Sequence, residues 1–207
     1  MNLSSNRAYP LPEVYLRNAI SSIKPTNHIA LRAVDRADSK GISYAKANVP
    51  TSPFPELSGN RVPEQSPIRW LRGVNKCNQL VGDVLTLEGF AMPTYTMKDG
   101  SKHYRMAEDF PKQPTFFDRL KSLDSLQEGD VLVIDYPGRG ESTAHVEIVT
   151  GFDLRSGVLM LTGARKDGAR ERDASNMIPL LKRANVNGEW AGNNGNKIYL
   201  LRAIAKK

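Results

Sequence analysis

The sequence predicts an α+β fold in which one helix packs on an antiparallel sheet. A helical pattern covers about residues 78–87, where apolar residues recur at helical spacing, and Gly89 ends it. Further along the chain, short β-branched runs alternate with turns, which is typical of an antiparallel meander. One helix followed by consecutive strands predicts a layer of helix on a layer of sheet.

Four strands are expected in the second half of the chain. A turn at Glu128–Asp130 introduces the first strand, and a loop rich in glycine and asparagine precedes the last. Between these elements and the helix, residues 90–115 are expected to form loop. A short helix is expected at 115–123, because its aromatic and leucine residues are spaced for one face. The four strands are predicted at residues 131–136, 144–150, 157–162 and 197–202.

Residues 1–66 are expected to form a proline-rich arm with one or two short helices, while 67–207 form the compact domain. Sustained helical periodicity in the arm is confined to about 14–23, and a second short helix is expected at 28–38. The stretch 39–64 is rich in proline, serine, glycine and asparagine, which is typical of loops. We expect the arm to wrap the core or to dock elsewhere.

Length and charge exclude several classes of protein. A chain of 207 residues can bury one good core, and its single cysteine excludes an internal disulfide. The net charge of +7 favours a polyanionic partner such as nucleic acid, anionic lipid or a bacterial cell wall. No zinc-finger spacing or aromatic RNA-binding signature is found, so no nucleic-acid partner is predicted. The charge cluster at 165–172 is mixed in sign and is expected to be a solvated loop. No membrane span and no signal peptide are predicted.

Cys77 lies where a reactive thiol would be placed, directly before the predicted helix. The first-turn N–H groups and the positive end of the helix dipole favour the thiolate, and Lys76 adds a nearby cation. The backbone N–H of Cys77 could form half of an oxyanion hole, with Asn75 or Asn78 supplying a side-chain donor. The alternative is a small buried hydrophobic residue, although the neighbours of Cys77 are polar.

His145 is the candidate proton partner of that thiol, on the predicted strand 144–150. Side chains alternate along a strand, so Glu147 shares the face of His145 and could orient its imidazole. Two alternatives stay open: a half-exposed sheet histidine, and a glutamate that is the cross-strand partner of a basic side chain. His28 lies in the arm and His103 in a loop, and with one cysteine they do not make a metal site by spacing.

Three runs, in this order, resemble the NlpC-type and CHAP amidase superfamily: 75–81 with the cysteine, 128–133 with its Gly-Asp turn, and 145–151 with the histidine. The resemblance covers about residues 68–165. It implies a papain-like fold with Cys77 at the start of a helix packed on an antiparallel sheet. It also implies that Cys77 and His145 hydrolyse amide bonds, most often in peptidoglycan.

The third catalytic residue departs from the family pattern. In that family it usually lies on the strand after the histidine strand, where only Thr162 is polar in this chain. Asp167, just past that strand, is another candidate. Glu147 is the favoured one, because it shares the face of His145.

The resemblance implies a cysteine amidase or endopeptidase acting on peptidoglycan without cofactor or metal. We expect an antibacterial effector made in the bacterial cytoplasm and delivered to the periplasm of a target cell, for example by type VI secretion. An immunity protein or a component of the secretion machine would be its partner. Alternatives are a phage lysin, a protease or deamidase acting on a protein, and a non-catalytic wall-binding or tail protein with an inert papain-like fold.

Overall fold

The computed structural model describes residues 27–58, 73, 75–98, 100–136, 138 and 144–205. These residues form helices and antiparallel strands, so the predicted α+β class is confirmed. The helix expected at 14–23 lies outside the described residues.

Two of the helices in the described part were expected from apolar periodicity, at 28–38 and at 78–87. The helix at 28–38 is confirmed; Asn27 caps it by accepting a 2.8 Å hydrogen bond from the Ile29 N–H. Its buried face consists of alanines, which allow the helix to lie close to its neighbours. The helices of the described residues are α1 (His28–Lys40), α2 (Pro55–Ser58), α3 (Cys77–Leu87) and α4 (Ile178–Leu181).

The strands form one large antiparallel sheet and one separate hairpin. Their bounds are β1 (Thr94–Thr96), β2 (Lys102–Tyr104), β3 (Phe117–Arg119), β4 (Val131–Asp135), β5 (Ala144–Asp153), β6 (Val158–Arg165), β7 (Gly168–Asp173), β8 (Asn185–Val186), β9 (Glu189–Ala191) and β10 (Lys197–Ala203). The sheet order is β7-β6-β5-β4-β10-β9-β8, β3 also pairs with β10, and β1 pairs with β2. The four strands predicted from the sequence are therefore confirmed.

Three expectations about local structure are wrong. The helix expected at 115–123 is replaced by β3, because Phe117–Arg119 pair with the end of β10 and this pairing overrides a short helical pattern. Residues 90–115 hold the β1–β2 hairpin and a 3₁₀ helix, Ala107–Lys112, in addition to loop. The charge cluster at 165–172 forms the end of β6, a turn and most of β7 instead of a solvated loop.

The core has two parts, one on each face of the large sheet. On the first face, α3 packs its leucines and valines against β5 and β6. Each fully buried aliphatic side chain contributes about 1.5–3 kcal/mol to folding. The residues of α3 with no exposed surface are Leu80, Val81, Val84 and Leu85. On the second face, α4 and Trp190 pack against leucines of β4, β6 and β10.

Helix α3 is fixed from several sides, which determines where its first residue lies. Gly82 lets the Tyr104 ring approach the helix, since a Cβ there would lie 2.4 Å from a ring carbon. Helix α1 packs on α3 and on β5, β6 and β7. Asp83 accepts hydrogen bonds from Tyr44 and Ser52, which tie the chain after α1 to α3. None of the described helices has the length and apolar character needed to cross a bilayer.

Candidate active site

Cys77 is the first residue of α3, one residue earlier than the helical pattern predicted, and only 4% of it is exposed. Lys76 precedes the helix, and no side chain caps the first turn. The N–H groups of that turn have no acceptor within the helix. The thiol is therefore placed beside backbone donors and the positive end of the helix dipole.

The side chain of Lys76 is buried and reaches toward the preceding part of the chain. Its Nζ donates to the carbonyl oxygens of Ala45 and Lys46, at 3.0 and 3.1 Å. Burial and the nearby Lys46 ammonium lower the pKa of Lys76 to about 8. Lys76 thus ties the start of α3 to the loop after α1.

The two asparagines suggested as oxyanion donors have different environments. Asn78 is buried, and its Nδ2 donates to the Arg105 carbonyl oxygen at 3.0 Å, which holds the chain after β2 against the helix. Asn75 is exposed. Because the Asn78 amide already donates to Arg105, the backbone N–H groups at the start of α3 are the better candidates for stabilising an oxyanion.

His145 lies at the beginning of β5, opposite Ile134 of β4, and its imidazole interacts with the Cys77 thiol. Burial lowers the pKa of His145. The interactions of the imidazole with Cys77 and Glu147 outweigh burial and raise this pKa to about 9. The structure therefore brings together the two residues that the sequence singled out from distant positions.

Glu147 lies two residues further along β5, and its side chain has no exposed surface. Its Oε1 is 3.2 Å from Nε2 of His145. The ring N–H does not point at that oxygen, so the contact is a close ion pair and falls short of a linear hydrogen bond.

Two arginines, one from β6 and one from β7, bind the Glu147 carboxylate. Arg172 of β7 donates through Nε to both oxygens, at 3.0 and 3.1 Å, and through Nη2 to Oε2. Arg165 of β6 donates through Nη2 to Oε1 at 3.2 Å. Burial alone would raise the pKa of Glu147, but His145 and Arg172 hold it far below its usual range. Glu147 is ionised across the physiological pH range.

Gly163 of β6 provides the space for this carboxylate. A Cβ at that position would lie 2.4 Å from Cγ of Glu147 and 3.0 Å from its Oε1. Glycine inside a strand often marks a close approach of this kind.

The other candidates for the third residue lie elsewhere. Thr162 is the register partner of Ile148, on the opposite face from Glu147, and it donates to Thr150 at 3.2 Å. Asp167 has 62% of its side chain exposed and pairs with Arg170 at 2.8 Å. Of the three candidates, Glu147 is the one that lies against His145.

His103 differs from its expected setting, because it belongs to β2 and is fully buried rather than lying in a loop. Its Nε2 is 2.9 Å from Oγ of Ser101, and its ring centroid is 5.9 Å from that of Tyr95. Within the described ranges, no group of three histidine, cysteine, aspartate or glutamate side chains is arranged to hold a metal ion.

Sequence reasoning did not identify Arg165, Arg172 or Gly163 as part of the site. A usable signal was present: a glutamate on an otherwise apolar strand needs a cationic partner if it is buried. Alternation along β7 places Arg170 and Arg172 on one face. Arg170 is exposed and Arg172 binds Glu147, so alternation alone does not identify which arginine is the partner of the glutamate.

Side chains of α3 and β5 thus form a thiol, imidazole and carboxylate series, with two guanidinium groups behind the carboxylate. This arrangement can form a nucleophile, hold an imidazolium beside it and fix the orientation of the ring. No protein-family model matches the chain, and no curated protein matches it significantly.

Proposed function

We propose that the chain is a papain-like cysteine hydrolase that cleaves amide bonds of bacterial peptidoglycan. The observation that carries the proposal is the series at the start of α3 and β5. The Cys77 thiol interacts with the His145 imidazole, whose Nε2 is 3.2 Å from a fully buried Glu147 carboxylate. A nucleophile at a helix start, a proton partner and an orienting group are the three parts of a catalytic triad.

In the first half of the reaction, the Cys77 sulfur attacks the carbonyl carbon of the amide and a C–S bond forms. First-turn N–H groups of α3 stabilise the negative charge on the carbonyl oxygen. The His145 imidazolium then gives its proton to the amide nitrogen, the C–N bond breaks and an amine leaves. A thioester remains on the enzyme.

In the second half, the neutral imidazole takes a proton from water, which attacks the thioester carbon. The C–S bond breaks, a carboxylic acid is released and the thiolate and imidazolium are restored. Since the pKa of His145 is raised to about 9, the imidazolium is the resting form at neutral pH. Since Nε2 is the ring atom close to Glu147, at 3.2 Å, Nδ1 is the ring atom available to the thiol.

The choice of peptidoglycan is supported by the motif resemblance and by charge. The resemblance joins the runs around Cys77, the Gly-Asp turn and the histidine strand, and it implies cell-wall amides as substrates. A net charge of +7 favours association with a polyanionic surface such as a bacterial wall. As an effector, the protein would act in the periplasm of a target cell and be restrained by an immunity protein in the producing cell.

Mass spectrometry of purified peptidoglycan after incubation with the protein tests the proposal. We expect new amine and carboxyl ends at one type of amide bond, and their loss in Cys77→Ala and His145→Ala. Cys77→Ser should fold like the wild type and lose most activity, since a hydroxyl is a weaker nucleophile at neutral pH. Intact wall with a folded wild-type protein would reject the wall substrate. In that case, cleavage or deamidation of added proteins would indicate a protein substrate, and no reaction at all a non-catalytic role.

A further inference from the structure

The Glu147 carboxylate, which lies next to His145, is bound at both oxygens by a residue from a strand that does not pair with β5. Arg172 lies on β7, two strands from β5 in the sheet, and binds both oxygens of Glu147 through a two-nitrogen fork. Such paired guanidinium–carboxylate contacts fix direction as well as charge. Arg165, from the intervening strand, touches only Oε1, at 3.2 Å.

The charged and titratable groups that face Glu147 come from three strands. They are His145 on β5, Arg165 on β6 and Arg172 on β7. On the remaining side, β4 places the apolar Leu132 opposite Glu147. Cys77 of α3 raises the pKa of His145 and so affects Glu147 through the imidazole. Arg172 binds both oxygens of the carboxylate, whereas His145 and Arg165 each approach only Oε1.

We propose that Arg172 is a positioning residue of this site, which keeps the Glu147 carboxylate ionised and directed at His145. This inference rests on the proposed function, because it assigns Arg172 a part in the same site. A buried carboxylate without such a partner would protonate in mild acid. Once neutral, Glu147 would no longer support the imidazolium, and the thiolate paired with that imidazolium would be lost. Arg172 would thus extend the working range of the thiol toward acid pH.

The test measures the thiol and the carboxylate directly and needs no substrate. The rate of Cys77 alkylation by iodoacetamide is recorded against pH, and the ¹³Cδ signal of Glu147, assigned with Glu147→Gln, is titrated by NMR. For Arg172→Gln we expect Glu147 to titrate about 1–3 pH units higher than in the wild type. The pH at which alkylation falls in acid should rise with it. Arg172→Lys should show a smaller upward shift than Arg172→Gln, since lysine keeps the positive charge and loses the fork.

Arg170→Gln is the matched control, because Arg170 lies on the same strand and face with 59% of its side chain exposed. It should leave both titrations unchanged. A folded Arg172→Gln variant with wild-type titrations would overturn the proposal and leave Arg172 a purely structural role. If that variant does not fold, Arg172→Lys decides: an upward shift supports the proposal, and wild-type titrations reject it.

The outcome is separable from that of the proposed function. Shifted titrations with an uncut cell wall would uphold the role of Arg172 and reject the peptidoglycan substrate. Unshifted titrations with wall cleavage that depends on Cys77 would do the reverse.

Discussion

Glu147 on β5 and Asp83 on α3 both have side chains with no exposed surface, yet their pKa values move in opposite directions. Burial raises the pKa of Asp83, and the hydrogen bonds it accepts from Tyr44 and Ser52 offset only part of that effect. Burial acts in the same direction on Glu147, but its contacts lower the pKa far more. The two sites therefore differ in their partners and not in their exposure.

The partners of Asp83 are mostly neutral. Tyr44 donates at 2.5 Å, Ser52 at 2.7 Å and Gln79 at 3.1 Å, while the nearest nitrogen of Arg36 is 3.7 Å away. Glu147 instead contacts two guanidinium groups and an imidazole directly. A buried charge needs contacts with opposite charges to offset its desolvation. Asp83 is thus a tie between α3 and the chain after α1, whereas Glu147 is a carboxylate held in its charged form.

The largest expected effect on stability comes from neutralising Glu147, and neutralising Asp83 should have a smaller effect. Glu147→Gln leaves two guanidinium groups without their counter-charge and should lower the free energy of unfolding by about 3 kcal/mol. Asp83→Asn changes a network of neutral donors, whose hydroxyl groups can also accept, and should cost about 1 kcal/mol. Urea unfolding followed by circular dichroism measures both. Equal losses would mean that the partners do not distinguish the two sites.

The same two variants should change the pH dependence of stability in opposite ways. The pKa of Glu147 is below its unfolded value of 4.5, so its contribution is present above pH 4.5 and is lost as the pH falls below it. The pKa of Asp83 is above its unfolded value of 3.8, so its ionisation reduces stability as the pH rises from 3.8.

Unfolding free energies between about pH 3 and about pH 7 test this difference. Glu147→Gln should lose less stability toward acid than the wild type. Asp83→Asn should lose more, because it lacks the compensating gain from protonating Asp83. Parallel curves for the two variants would contradict the assigned pKa directions.

Only one half of this contrast was predicted from the sequence, because Glu147 was singled out beside His145 and Asp83 was not. Alternation along β5 predicted that His145 and Glu147 share a face, and the family resemblance implied that Cys77 acts with His145. The roles of Arg165 and Arg172 were not predicted, because they depend on the register of β5 with β6 and of β6 with β7. These strands are consecutive in the chain, but the register of β5 and β6 shifts between Val149 and Gly151, and local patterns do not specify such a shift.

The failed predictions have the same physical origin. The short helix expected at 115–123 gave way to β3 because β10 offered it a strand to pair with. Likewise, His103 is buried because β1 and β2 pair as a hairpin that the loop-like composition of 90–115 conceals. In each case strand pairing overrides a weak local preference.

Two glycine substitutions with equally close contacts test the region around Glu147 and the region around Asp83 separately. Gly163→Ala would place a Cβ 2.4 Å from Cγ of Glu147, and Gly82→Ala would place one 2.4 Å from the Tyr104 ring. Each should destabilise the fold by about 1–3 kcal/mol through overpacking. Only Gly163→Ala should also displace Glu147 and change the acid limb of Cys77 alkylation. If a folded Gly163→Ala variant kept the wild-type fall of Cys77 alkylation at acid pH, the position of Glu147 would not be critical for the reactivity of the thiol.

The smallest expected effect concerns one neutral donor to Asp83. Ser52→Ala removes the hydroxyl that donates to Oδ1 at 2.7 Å and should lower the free energy of unfolding by about 1 kcal/mol. It should also raise the pKa of Asp83 further, because that hydrogen bond stabilises the charged form. The Cys77 alkylation profile should stay as in the wild type, since Ser52 contacts Asp83 and not the thiol or its partners. A shifted profile would instead mean that the Asp83 network acts on Cys77 through α3, and the separation between a structural carboxylate and a site carboxylate would not hold.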